Sequence, residues 1–280
     1  MRNESLIIMA GGTSSRMKKS LASSNLDSNT LTIASNLHKT LIPLGNAQKP
    51  LLFYLLKNVI SAKIKRVYVI TSFENAAFKS FISNFLKENK NITIKIAIQY
   101  VPKNRKKPLG TADALKQCID QYPELLKERF TVCNADNLYS INSLIDIKKD
   151  RETPHSLISY NSKGLLFSDE RIANFAVLNI DNEGFLKEIV EKPKSNIIDT
   201  FKDANGFLRV SMNIFNFYGN SIYPYLEKCE INLLRNEKEL PQAVNKMVNE
   251  NLKCLICYSK TEHLPDLTNE DDIKKIIRLI

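Results

Sequence analysis

The sequence predicts an α/β protein: a parallel sheet with helices packed on its faces, extended by antiparallel strands. Two patterns carry this reading. From Ser5 to Asp150, short aliphatic or β-branched runs alternate with amphipathic segments of helical period, the β-α-β signature of parallel pairing. Beyond Asp150 the strand-like runs follow one another across turns such as Asp181-Asn-Glu-Gly184, which is antiparallel patterning. No repeat, low-complexity tract or linker interrupts the chain, so a single domain over 1–280 is expected, with halves over 1–150 and 151–280.

In order, Leu6 to Met9 form a continuous apolar run of strand length, punctuated by Gly11 and Gly12. Glycine lets a backbone turn sharply and approach a ligand closely, and successive N–H groups in such a turn form an anion-binding concavity. Arg16 adds a planar fork of donors suited to phosphate oxygens. A strand ending in a glycine turn is also ordinary in any α/β protein, so this stretch alone leaves both readings open. Lys18 to Leu37, rich in Ser, Asn and Thr, reads as an inserted loop. A helix over Leu51 to Ala62, a strand over Arg66 to Ser72, a helix over Glu74 to Lys87 and a strand over Ile92 to Tyr100 follow.

The loop Pro102 to Gly110 then leads into a helix with Thr111 as expected N-cap, whose first N–H groups are free for a ligand. The strand Arg129 to Cys133 ends in Asn134-Ala-Asp136, and a carboxylate just past the carboxyl end of a central strand lies where open α/β sheets bind ligands. The competing structural role for Asp136 is capping a helix over Ile141 to Lys149. Strands over Ser156 to Tyr160, Ala173 to Ile180, Leu186 to Glu191, Val210 to Tyr218 and Lys253 to Tyr258 are expected. Helices are expected over Gly219 to Cys229, Pro241 to Asn251 and Asn269 to Ile280.

A net charge of +10 fits an anionic partner, either nucleic acid or a phosphorylated small molecule. The densest basic cluster, Lys103-Asn-Arg-Lys-Lys107, lacks interleaved aromatics, which disfavours a nucleic-acid platform and leaves a loop overhanging phosphates or a solvated basic surface. No apolar run is long enough to span a bilayer, and the N-terminal apolar stretch is too short for a signal peptide, so neither nucleic acid nor membrane is an expected partner and the cytoplasm is the expected compartment. Five scattered cysteines argue against a disulfide framework. Cys254 and Cys257 would point to opposite faces of a strand, which disfavours zinc.

Met9-Ala-Gly-Gly-Thr-Ser-Ser-Arg-Met17, Lys39-Thr-Leu before Lys49-Pro50, Gly110-Thr-Ala-Asp-Ala114, Asn134-Ala-Asp136, Glu191-Lys-Pro193 and Ser211-Met-Asn213, in this order and over nearly the whole chain, resemble the motifs of the sugar-1-phosphate nucleotidyltransferases. The resemblance implies a three-layer α/β/α Rossmann-like sandwich with a mixed, mostly parallel central sheet. Residues 1–150 would form its nucleotide-binding half and 151–280 its sugar-phosphate-binding half. It implies a nucleoside triphosphate and a sugar-1-phosphate as substrates, Mg²⁺ as cofactor, and an NDP-sugar and pyrophosphate as products of in-line attack at the α-phosphate. A homo-oligomer is compatible with it. By resemblance, Ala10, Gly11, Gly12, Thr13, Ser14, Ser15 and Arg16 cradle the triphosphate, with Arg16 on its outer oxygens, and Lys39 neutralises charge at the α-phosphate. Gln99 and the Gly110, Thr111 and Ala112 backbone read the base. Asp136 holds Mg²⁺, Glu191 accepts sugar hydroxyls, Lys192 pairs with the sugar phosphate, and Asn213 is a further sugar contact.

The chain departs from the family pattern at identifiable places. Ser14 replaces a glycine, His38 a proline, and the second metal ligand is either Gln242, where an acid is expected, or Asp266. Two other readings therefore stay open: a non-catalytic nucleotide-binding domain of the same fold, and transfer to another phosphorylated alcohol such as phosphocholine.

Overall fold

The structure, a computed structural model, describes residues 3–12, 14–21, 37–193, 197–203 and 205–280. Thr13 and most of the Lys18 to Leu37 insertion therefore lie outside the described residues, while its first residues belong to a helix rather than a loop.

In chain order the elements are β1 (Ser5–Met9), α1 (Ser15–Leu21), β2 (Pro43–Leu44), β3 (Lys49–Pro50), α2 (Leu51–Ser61), β4 (Arg66–Thr71), α3 (Ala76–Glu88), β5 (Thr93–Ile98) and α4 (Thr111–Gln121). Then come β6 (Arg129–Asn134), α5 (Ile141–Asp146), β7 (His155–Asn161), α6 (Asp169–Ile172), β8 (Ala176–Ile180), β9 (Leu186–Val190), β10 (Arg209–Tyr218), α7 (Gly219–Glu227), α8 (Leu240–Glu250), β11 (Leu255–Lys260) and α9 (Glu270–Ile277).

The main sheet runs β11-β7-β10-β6-β1-β4-β5, with β8 and β9 attached through β10. Its central strands β6, β1, β4 and β5 are parallel, with Leu6 beside Val67 on one flank and Thr131 on the other. β10 is antiparallel to β6, β7 and β8, whereas β11 returns parallel to β7. This is the expected mixed α/β sheet with a parallel centre. The alternation of side chains along each strand divides the core in two. Leu6, Ile8, Val67 and Val69 enter one apolar cluster, and Ile7, Tyr68, Ile70, Phe130 and Val132 the other. A third, smaller cluster seats α9 through Ile273 and Ile276 on Met17, Ile42 and Leu267.

Cys254 precedes β11, so it and Cys257 pack against the same cluster instead of facing apart as expected. All five cysteines are free, and no helix of the described residues is long and apolar enough to cross a membrane.

Candidate active site

Because β1, β4, β5 and β6 are parallel, their carboxyl ends open on one edge, and a cavity of about 440 Å³ lies there. Its walls come from the loops that follow those strands. Gly11, Gly12, Ser14 and Arg16 follow β1, Gln99, Lys107, Gly110 and Thr111 follow β5, and Asn134 and Asp136 follow β6. His38, Lys39 and Thr40 close one side and Glu237 reaches in from the loop before α8. Lysine or arginine at three of these positions makes the lining suitable for phosphate.

Two of these glycines, Gly110 and Gly11, are constrained by what a Cβ would meet. A Cβ on Gly110 would stand 2.4 Å from the Lys238 carbonyl oxygen, and Gly110 has φ +119, so only glycine fits. At Gly11 a Cβ would meet Gln99 Oε1 at 2.8 Å. Gln99 is buried, and its Nε2 donates to the Gly110 carbonyl at 2.9 Å, which ties the first loop to the second.

Ser14 stands at φ +53, the left-handed conformation that a glycine would take without strain. Its hydroxyl oxygen accepts the backbone N–H of Lys39 at 3.2 Å. His38 braces the same junction. Its Nδ1 lies 2.8 Å from Thr40 Oγ1, its ring bonds to the Gly12 backbone and packs on Phe78, and burial, with Lys39 beside it, holds its imidazole down at about 4. The Lys39 ammonium, largely buried, donates to the Asp136 carboxylate.

Asp266 is brought opposite Asp136 by backbone pairing. Leu267 N donates to the Asp136 carbonyl at 2.8 Å and Leu138 N to the Pro265 carbonyl at 2.9 Å. Burial, and then the Asp136 charge, push the Asp266 carboxyl above the usual carboxylate value even though it pairs with Arg171. Two neighbouring carboxylates are an all-oxygen donor set, which fits a hard divalent cation. Gln242 does not belong to this set. It lies on α8 and lines a separate cavity with Lys228, Cys229 and Lys246, away from Asp136, whereas Asp266, the other candidate, is Asp136's neighbour.

The remaining candidates separate. Ala10 is buried just behind the cavity, its N–H donating to the Ile70 carbonyl. Ser15 is the first residue of α1. Thr111 is not the N-cap expected. Gly110 is, and the Thr111 hydroxyl instead accepts the Leu240 N–H at 2.8 Å. Ala112 is fully buried and its N–H is taken by the Lys238 carbonyl at 3.0 Å, so it offers no free donor to a base. Asp136 does not cap the next helix, since Ser140 does.

Glu191, Lys192 and Asn213 are not among the cavity walls. Glu191 follows β9 and pairs with Arg235 at 3.4 Å, and burial raises its carboxyl against that pull. Lys192 and Asn213 both have positive φ, Asn213 at a bulge where β10 shifts register against β7. The motif reading missed Arg235, Glu237 and Arg171, which stand outside any glycine or proline signature. Lys107 was foreshadowed by the basic cluster.

A cationic, glycine-floored cavity at the carboxyl edge of parallel strands, with Asp136 in its wall, is the arrangement of a phosphate-handling α/β enzyme. The chain belongs to the nucleotidyl transferase family, whose model matches residues 5–260. Its fold is shared with a structure described as a glucose-1-phosphate thymidylyltransferase from Bacillus anthracis in complex with sucrose, at 19% identity and a TM-score of 0.68, covering 99% of this chain and 95% of that one. A UDP-glucose pyrophosphorylase complexed with UDP-glucose is similar at 16% identity and a TM-score of 0.71, covering 99% and 98%.

Proposed function

We propose that the chain joins a nucleoside triphosphate to a sugar-1-phosphate and releases pyrophosphate. The observation that carries this reading is the meeting of Arg16, Lys39 and Asp136 with the Gly11 and Gly110 loops around one cavity. Both reactants are anionic, so positioning and charge neutralisation dominate such a reaction.

Arg16 and Lys107 would hold the outer phosphates, while the Gln99 and Gly110 junction faces the base. Asp136 and Asp266 would hold Mg²⁺, which supplies neutralisation at phosphate oxygens when bound. Lys39, paired with Asp136 in this structure, would turn to the α-phosphate and stabilise the charge that develops there. Glu191 would accept sugar hydroxyls, with Lys192 on the sugar phosphate and Asn213 beside it. Arg235 supports this placement, because it connects Glu191 to the loop whose Glu237 lines the cavity.

The non-catalytic alternative drew on Ser14 and Gln242. Ser14 keeps a glycine-like φ and Gln242 lies elsewhere, so neither favours it. The test is a matrix of nucleoside triphosphates against sugar-1-phosphates, with phosphocholine included, read by pyrophosphate release with Mg²⁺. Absence of release across the matrix with folded protein refutes the reading, and release with phosphocholine alone replaces the sugar.

A further inference from the structure

We propose that Arg171 is the positioning residue for Asp266: it pins one carboxylate oxygen so that the other is presented, together with Asp136, to a divalent cation. This rests on the metal-ligand reading of Asp136 and Asp266 given above.

Arg171 lies on α6 in the second half of the chain and reaches two acids at once. Its Nη2 donates to Asp266 Oδ2 at 2.7 Å and to the Asp266 carbonyl at 3.2 Å. The same guanidinium bonds both oxygens of Asp272. Thr268 Oγ1 donates to Asp266 Oδ2 at 2.9 Å. Among the described residues, every side-chain donor to this carboxylate therefore lands on Oδ2, which leaves Oδ1 for a ligand.

The clamp is itself anchored. Asp272 is nearly fully buried and closes the capping box of α9, accepting the N–H groups of Thr268 and Asn269 at 2.9 Å each. The guanidinium also lies over the Phe167 ring, its centre 4.3 Å from the centroid. A planar fork can hold two carboxylates and an aromatic face together, which a lysine point charge cannot. Ligating carboxylates are commonly oriented by such hydrogen bonds, and their loss weakens metal binding rather than only the fold. Through Asp272 the clamp also connects the seating of α9 to the end of the cavity that holds Asp136.

The experiment titrates Mn²⁺ alone into the protein, following free Mn²⁺ by electron paramagnetic resonance, with thermal melts alongside. Asp136→Asn is the control for the metal reading, and Leu226→Ala, which opens a different apolar cluster under α7, is the control for mere destabilisation. Arg171→Gln is expected to weaken Mn²⁺ binding by about 10- to 100-fold. Arg171→Lys should restore part of this, and Leu226→Ala should lower the melting temperature while leaving Mn²⁺ affinity at the wild-type value. Should Arg171→Gln fail to fold, Arg171→Lys carries the test through Mn²⁺ binding weaker than that of a Leu226→Ala protein of comparable melting temperature. Wild-type Mn²⁺ affinity in the Arg171 variants overturns the positioning role while the metal reading stands. A wild-type protein that binds no Mn²⁺, or an Asp136→Asn variant that binds it undiminished, overturns the metal reading and this role with it.

Discussion

Ser14 separates strain from function by substitution. It stands at φ +53 and its hydroxyl accepts the Lys39 N–H at 3.2 Å. Holding a non-glycine residue in the left-handed region costs about 1–2 kcal/mol, and the hydrogen bond contributes about 1 kcal/mol net. Ser14→Ala keeps the strain and loses the bond, so it should destabilise by about 1 kcal/mol, which for a chain of this size lowers the melting temperature by about 2 °C. Ser14→Gly loses the bond but relieves the strain, so its stability should match or exceed that of the wild type.

Activity should not follow stability. Both variants untie the Lys39 segment from the loop that follows β1, and misplacing a reacting group by about 1 Å can cost on the order of 100-fold in rate. Thermal melts and pyrophosphate-release kinetics on the three proteins decide it: kcat/KM should fall about equally in both variants, on the order of 10-fold for a backbone tether. A glycine variant less stable than the alanine variant would refute the strain argument. Wild-type kinetics in both would remove the tether from the mechanism.

Lys39→Ala should lower kcat by about 100- to 1,000-fold, and an unchanged pyrophosphate-release rate excludes Lys39 from the chemistry. Because it also removes the cation paired with the Asp136 carboxylate, it should cost about 1–2 kcal/mol in a denaturant melt without added metal, recovered on adding Mg²⁺. Gly110→Ala places a Cβ 2.4 Å from the Lys238 carbonyl oxygen at φ +119, so chemical denaturation should show a loss of about 2–4 kcal/mol. His155 is fully buried, and burial together with Arg151 and Arg129 holds its imidazole down at about 3. The unfolded chain, with an ordinary value near 6.5, therefore takes up a proton that the folded chain refuses, and stability falls as pH drops from about 6.5 towards about 3. The loss attributable to this residue is about 2 kcal/mol at about pH 5, and His155→Gln should flatten the stability curve by that amount between about pH 7 and pH 5.

Much of the fold was legible because the strands of a parallel centre are buried on both faces and so are written as uninterrupted apolar runs. Ser5–Met9 and Arg66–Thr71 are of this kind. Pairings that join distant parts of the chain were not legible. Asp266 faces Asp136 through a bridge between Asn137 and Asp266, and no local pattern announces that contact. Gln242 falls where the family's order of motifs expects an acid, yet its helix turns it towards another cavity. Thr111 failed as a cap for a similar reason. A side-chain oxygen at the right position is a local signal, but Leu240 N, from the far end of the chain, claimed it.

The loops of the site carry a second kind of information that residue type concealed. Ser14, Lys192 and Asn213 lie in three different motifs, and Asn236 beside the cavity loop joins them, all with φ between +46 and +55. Reading positive φ from glycine alone misses every one of them. Three of the four are held by hydrogen bonds: Ser14 by the Lys39 N–H, Asn213 by its own N–H donating to Ser211 Oγ at 3.2 Å, and Asn236 by Arg105, which donates to its Oδ1 at 3.0 Å. Left-handed non-glycine residues persist only where packing and hydrogen bonds over-determine them, and they cluster at sites that must aim a side chain. A bulge at Asn213 does this for a strand that would otherwise point that residue along its regular alternation. The same argument makes Ser14 more than a tolerated substitution: a glycine there would adopt the turn more easily but would leave the Lys39 N–H without its acceptor.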